Sequence, residues 1–355
     1  MSFWLLRIIC FFRILIRMAI LVEKPTLRRK DMDAVLQTMV DETIGVGQHQ
    51  HLFISEFCKH IPLATAFALR SGVDALLYAL LALQLPTGSS VAVSALSPAY
   101  YAHVLSRVDL KPLILDVDDN GLLDIEALQT CKAEAVLLHQ PYGNFPIDSR
   151  WKELTIPIIE DVSQSFGSRY LDQEPGQIGK LVVCTFEASS IVSTGGGAVV
   201  GAVDPLTGAI LEECITPLYP QIGLADMNAA LGVIQLAHMG QNIERRQQMY
   251  QRFVASSRRS KHSHFGIKDV EFEHNGYGFV VVMDAKMDKG AAFALQYEVG
   301  TASAFEQVLI SSFLESFDLW PKAIPMVQRG LKFPLYPFLQ QQQIVQIEKV
   351  IAHLP

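Results

Sequence analysis

The chain has 355 residues, half of them hydrophobic and 18% charged, which is enough apolar surface for a large core and about two domains, and too little charge for disorder. A formal net charge of −7, with no basic run longer than Arg28–Arg29–Lys30, argues against a nucleic-acid face and leaves small molecules or other subunits as partners. Its five cysteines are scattered and show no CxxC or Cys/His ligand spacing, which suits a reducing compartment and offers no metal site.

The first 22 residues are apolar but broken by Arg7, Arg13 and Arg17. No uninterrupted run reaches the ~20 residues a bilayer requires, so no membrane span is expected. Two readings stand: a helix lying on a membrane surface, or an extension upstream of a start at Met18. Asp31 to Glu42 then predicts a first helix. Ser71–Gly72 precedes an apolar helix pattern from Val73 to Leu83, and free backbone N–H groups at such a start can hold an anion. The same residues also make an ordinary helix cap.

From Ser90 onward strand and helix signals alternate: Ser90–Val93, Tyr100–Val108, Pro112–Asp116, Ile125–Thr130 and Ala135–His139. This pattern predicts a parallel sheet with crossover helices. The apolar run Ile156 to Ile159 stops on Glu160 and Asp161, so a buried strand would present carboxylates at its C-terminal end, where open α/β sheets hold ligands. Asp161 could equally cap a turn. A second run, Leu181 to Phe186, delivers Thr185 to the same edge, and the STGGGA loop after it permits close backbone approach. Cys184, inside that run, reads as a small hydrophobe.

Leu224 to Phe253 predicts one long or broken helix. Residues 255–275 are polar, and His262 and His264 within them are expected in a surface loop. A strand at Gly278–Met283 and helices at Lys289–Val299 and Gln340–His353 complete a compact α+β unit. The expected division is therefore 1–22, an apolar extension; 23–245, a large domain; and 246–355, a small one.

Three separated pieces carry a resemblance: SGVDAL at Ser71 to Leu76, IIEDVSQSFG at Ile158 to Gly167, and TFEASSIVSTGGGAVV at Thr185 to Val200. In that order they resemble the DegT/DnrJ/EryC1/StrS sugar aminotransferases, fold-type I enzymes that use pyridoxal phosphate (PLP). The likeness runs from about Met18 to Pro355. It implies an α/β fold: a three-layer, aspartate aminotransferase-like PLP-transferase domain with a mainly parallel sheet, plus a small C-terminal α+β domain. By the same resemblance Asp161 would pair with the pyridine nitrogen and Gln164 would lie beside the ring's phenolic oxygen. Ser71, Gly72, the residue at Val73 and Thr185 would surround the phosphate.

The departures gather at the cofactor. Ser190 stands where the family has its Schiff-base lysine, and serine has no amine to form that bond. Lys180 precedes the strand whose far end carries Thr185, roughly 16 Å away at ~3.3 Å per residue. Val73 replaces a phosphate-binding threonine. Pro98 replaces the aromatic that stacks on the ring, so stacking is lost or passes to Tyr100 or Tyr101. Gln221 and Gly223 replace an Asn-x-Arg pair that reaches the neighbouring subunit.

The resemblance thus implies a cytoplasmic homologue in polysaccharide or nucleotide-sugar biosynthesis that takes a nucleotide-linked keto-sugar. It would lack ordinary transamination, and would form a homodimer or a heteromer with an active homologue. The alternative is sugar dehydration or amination with PLP or pyridoxamine phosphate (PMP) held noncovalently, and a base drawn from Glu187, His139 or Tyr142.

Overall fold

A computed structural model describes residues 20–355, so the two readings of the N-terminal segment fall on residues outside it up to position 19. The polar N-terminal stretch forms α1 (Arg29–Val40) and α2 (Gln48–Phe57). There follow β1 (Thr65–Leu69), α3 (Gly72–Ala82), β2 (Ser90–Ser94), α4 (Tyr100–Arg107), β3 (Lys111–Leu115), α5 (Ile125–Thr130) and β4 (Ala135–His139). Next come β5 (Ile158–Asp161), the short β6 (Arg169–Tyr170), β7 (Leu181–Thr185), β8 (Ala198–Ala202) and α6 (Pro205–Ile215).

Seven strands form one sheet in the order β1-β8-β7-β5-β4-β2-β3. The run from β7 to β3 is parallel, and β8 lies antiparallel between β7 and β1. All five residues of β4 are buried, which is why AVLLH reads as an unbroken apolar run rather than an alternating one. Strand alternation divides the core in two. Leu137, Ile159 and Val183 face α3, α4 and α6, whereas Val182, Cys184 and Val199 face α2 and a later helix. Three layers result, and the fold is the α/β architecture expected.

The long C-terminal helix pattern breaks at His238 into α7 (Asp226–Ala237) and α8 (Met239–Ser257). The expected boundary at 245/246 falls inside α8. The rest comprises β9 (Ser263–His264), β10 (Phe272–Glu273), β11 (Phe279–Val282), α9 (Asp288–Gln296), β12 (Ala302–Ser303), α10 (Ala323–Arg329), β13 (Gly330–Phe333) and α11 (Gln341–Ala352). An antiparallel sheet, β12-β13-β11-β9, packs with α8 and α11 around a second core that includes Ile20.

His262 and His264 are not in a surface loop. His262 is buried, accepts from the Asp284 amide at 3.1 Å and lies 3.1 Å from the Pro355 carbonyl, while His264 pairs with Val281 in β9. A two-residue strand is too short to show alternation, so polarity alone misassigned it.

Candidate functional site

Strands β5 and β7 run side by side, and Asp161 pairs in register with Val183, so both C-terminal ends open on one edge of the sheet. Adjacent strand residues face opposite ways, which separates the two carboxylates there. Glu160 is fully buried on one side and accepts from the backbone N–H groups of Gly176 (3.0 Å), Ile178 (2.7 Å) and Gly179 (2.6 Å), and from Gln140 Nε2 (2.9 Å). It is an anchor for the loop before β7.

Asp161, on the other side, is also buried. Its carboxylate accepts from the Ser163 amide (3.0 Å), the Ser163 hydroxyl and the Tyr101 hydroxyl, and His139 Nδ1 lies 3.7 Å away. Burial alone would raise its pKa. The His139 ring and the two hydroxyl donors outweigh burial and hold the carboxyl below its usual range. The same burial, with the Asp161 charge beside it, pushes the Tyr101 phenol far up, so it is a hydrogen-bond donor and not a base. Tyr101 has no exposed surface. Neither Tyr101 nor Tyr100 stacks on an open ring site: Tyr101 points its hydroxyl at Asp161, and Tyr100 meets Tyr101 edge-on at 5.1 Å.

The residues assigned to the phosphate do come together. A Cβ on Gly72 would stand 2.5 Å from Thr185 Cγ2 and 3.9 Å from the Tyr100 hydroxyl, so the glycine is required for α3 to begin this close to β7. Ser71 is committed to its own helix: its hydroxyl accepts from the Asp74 amide at 3.1 Å and donates to the Asp74 carboxylate at 2.7 Å. Val73 packs against the core. Gln164 accepts from the Tyr142 amide at 2.8 Å and, with Pro98 and His139, lines a cavity of about 120 Å³. Tyr142 is unsuited as a base, because burial raises its pKa well above the usual value and its hydroxyl donates to the Ala304 carbonyl at 2.6 Å.

Ser190 is buried in the turn after β7, its amide bonded to the Glu187 carbonyl at 3.0 Å. Glu187 is exposed. The glycines beyond have φ of 76°, 129° and 103° at Gly195, Gly196 and Gly197, and a Cβ on Gly197 would meet Leu224 at 2.6 Å and the Leu69 carbonyl at 3.0 Å. The close approach expected of this loop is therefore to the chain's own backbone.

Two cations that spacing could not associate with the site lie nearby. Lys332, from β13, pairs with Glu23 and stands 5.6 Å from the Tyr142 ring and 5.9 Å from the Tyr277 ring. It shares a small cleft with Ser189 and Arg246. Arg246 is buried and donates to the carbonyls of Gly276 (3.0 Å) and Leu335 (2.8 Å), and burial lowers its pKa to about 10. Lys180 lies at the opposite end of β7, beside Asp204. No local sequence signal links Lys332 or Glu23 to residue 190.

Comparison with known proteins follows the same lines. The model of the DegT/DnrJ/EryC1/StrS aminotransferase family matches residues 25–213. A dTDP-4-dehydro-2,3,6-trideoxy-D-glucose 4-aminotransferase of Saccharopolyspora spinosa is 26% identical over 263 residues, covering 64% of this chain and 68% of the relative. GDP-perosamine synthase of Escherichia coli O157:H7 is 23% identical over 92% of this chain and 96% of its own. Among solved structures, the PMP form of a putative sugar aminotransferase from Streptococcus pneumoniae gives a TM-score of 0.84 at 17% identity, covering 95% and 97% of the two chains. An E. coli GDP-4-keto-6-deoxy-D-mannose-3-dehydratase with bound hydrated PLP gives 0.82 at 16% identity, covering 93% and 98%. At these identities the structural likeness establishes the fold.

Proposed function

The chain belongs to the DegT/DnrJ/EryC1/StrS aminotransferase family, and from that premise we propose that it serves polysaccharide or modified-sugar biosynthesis without ordinary transaminase activity. What carries this reading is Ser190, in the register where the resemblance puts the family's lysine. Lys332 is held by Glu23 and Lys180 sits at the wrong end of β7, so neither supplies the missing amine.

The cofactor of the family is PLP or PMP, and its ring does not fit the residues as they are arranged. The carboxylate meant for the pyridine nitrogen already accepts three hydrogen bonds from within the chain. Gln164, with Pro98 and His139, lines a cavity of about 120 Å³, but Asp161, Ser71, Gly72, Thr185 and Ser190 are not among the residues that line it. We therefore derive no catalytic step through the cofactor. The role that remains is to bind a nucleotide-linked keto-sugar, or to act as a noncatalytic subunit in a homodimer or beside an active homologue. In support of the second, Met32, Leu36, Met39 and Val40 expose an apolar stripe along α1.

The ionised state of Asp161 favours the other reading, noncovalent PMP, because a pyridinium needs a charged partner. An absorbance titration of the wild type and of Ser190→Lys with PLP and PMP tests both. The proposal expects no amine transfer from wild type with any amino donor. Transfer by wild type would sink it, and a saturable shift with PMP that is abolished by Asp161→Ala would favour the alternative.

A further inference from the structure

An aromatic ring already sits on Asp161. We infer that Tyr101 is a built-in occupant of the ring site, whose phenol takes the position on Asp161 that an outside pyridine would need and so closes the site to PLP and PMP. This rests on the reading that Asp161 and the α3 start occupy the family's cofactor positions.

Three observations converge on it. The Tyr101 hydroxyl donates to Asp161 Oδ2 while the ring has no exposed surface and both Ser163 donors take Oδ1, so each oxygen of the carboxylate that would answer a pyridinium already has a partner inside the fold. The Tyr100 hydroxyl reaches the space at Gly72 and Thr185, where the resemblance places the phosphate, and its ring meets Tyr101 edge-on. The two tyrosines therefore cover both ends of the expected ligand. Third, α4 starts at Tyr100, directly after the turn at Pro98 that replaces the stacking aromatic, so the same short segment both loses the stacking ring and supplies the occupant.

A tyrosine that merely filled core would behave differently from an occupant. Removing a core ring leaves an apolar void with no preference for a pyridine. Removing an occupant uncovers a buried carboxylate at the C-terminal edge of a parallel sheet, beside a helix start, which is the chemistry a phosphate-bearing pyridine recognises.

The experiment uses the full chain as wild type, Tyr101→Ala, Tyr101→Phe and the double variant Tyr101→Ala/Asp161→Asn, each checked for folding by circular dichroism. PMP, which has no aldehyde to react with surface lysines, is titrated while its absorbance is followed. Wild type and Tyr101→Phe should show no saturable binding. Tyr101→Ala should bind saturably, at concentrations at least about tenfold below the highest at which wild type shows no saturation, and the double variant should lose that gain. A folded Tyr101→Ala that binds no better than wild type overturns the inference, as does a wild type that saturates over the same concentrations. Should Tyr101→Ala unfold, Tyr101→Thr takes its place. If that variant is also destabilised, millimolar PMP must raise its melting temperature, and the absence of any rise overturns the inference too. Amine transfer by wild type would instead defeat the functional reading, so the two failures are distinguishable.

Discussion

Asp161 keeps its charge in a place where burial opposes it, and the groups responsible can be removed singly. Tyr101→Phe deletes a donor and leaves a buried carboxylate short of one hydrogen bond, for an expected cost of about 1–3 kcal/mol in urea unfolding. The pH dependence has a definite sign. Because the folded pKa lies below the ordinary value near 3.8, Asp161 adds stability that is fully present above that value and is lost as pH falls through the folded pKa. The stability gap between wild type and Asp161→Asn should therefore be constant from about pH 5 upward and shrink only below about pH 4. A gap that instead widens with acid contradicts the assignment. The sequence placed Asp161 on its edge, because an apolar run ending in acid has few alternatives. It could not say that Tyr101 would face it, since that depends on the phase with which α4 leaves the Pro98 turn.

At the scale of elements the acidic pair shows the limit of reading a motif by residue type. Glu160 and Asp161 look equivalent in sequence, yet the pleat sends one to the candidate site and the other to a loop. Glu160 satisfies three backbone N–H groups of residues 176–179, of which those of Gly176 and Gly179 would otherwise be buried and unpaired. Glu160→Ala should therefore cost about 3 kcal/mol or more, with early hydrogen exchange at Gly176 to Gly179 ahead of global unfolding. Glu160→Gln, which keeps one acceptor oxygen, should recover part of the loss. A Glu160→Ala protein as stable as wild type, with that loop still protected, would falsify the anchoring role. The parallel strands β2, β4, β5 and β7 were legible because both their faces are covered, which makes each a largely apolar run. The short strands β6, β9 and β10 were not, because two residues carry no period.

For the molecule as a whole, contacts between distant segments are what the sequence hid. Glu23 meets Lys332 across 309 positions, and Ile20 enters the second core by pairing with Val299. Contacts between distant segments also bury histidines that polarity alone would leave on the surface, His274 on Tyr250 among them, and this has a measurable consequence in acid. His274 is buried, stacked on Tyr250 at 4.2 Å, and accepts from the Gly276 amide at 2.8 Å, so its ring is held neutral. Burial lowers its pKa to about 4. Burial, aided by the charges of Lys268 and Arg258, lowers that of His264 to about 4 as well. In the unfolded chain both return to about 6.5. Between these values the unfolded state binds more protons than the folded one, so stability rises with pH across the interval and falls as pH drops from about 6.5 toward 4. These two groups contribute at most about 2.7 kcal/mol per pH unit, and His60, whose pKa burial also lowers, adds to it with the same sign. Asp161 begins to titrate only at the lower end of this window, so the effects separate. Denaturant melts from pH 7 to pH 4 should show a slope lower in His274→Phe than in wild type by up to about 1.4 kcal/mol per pH unit. An unchanged slope in that variant would mean that His274 is protonated in the fold, contrary to its acceptor bond from Gly276.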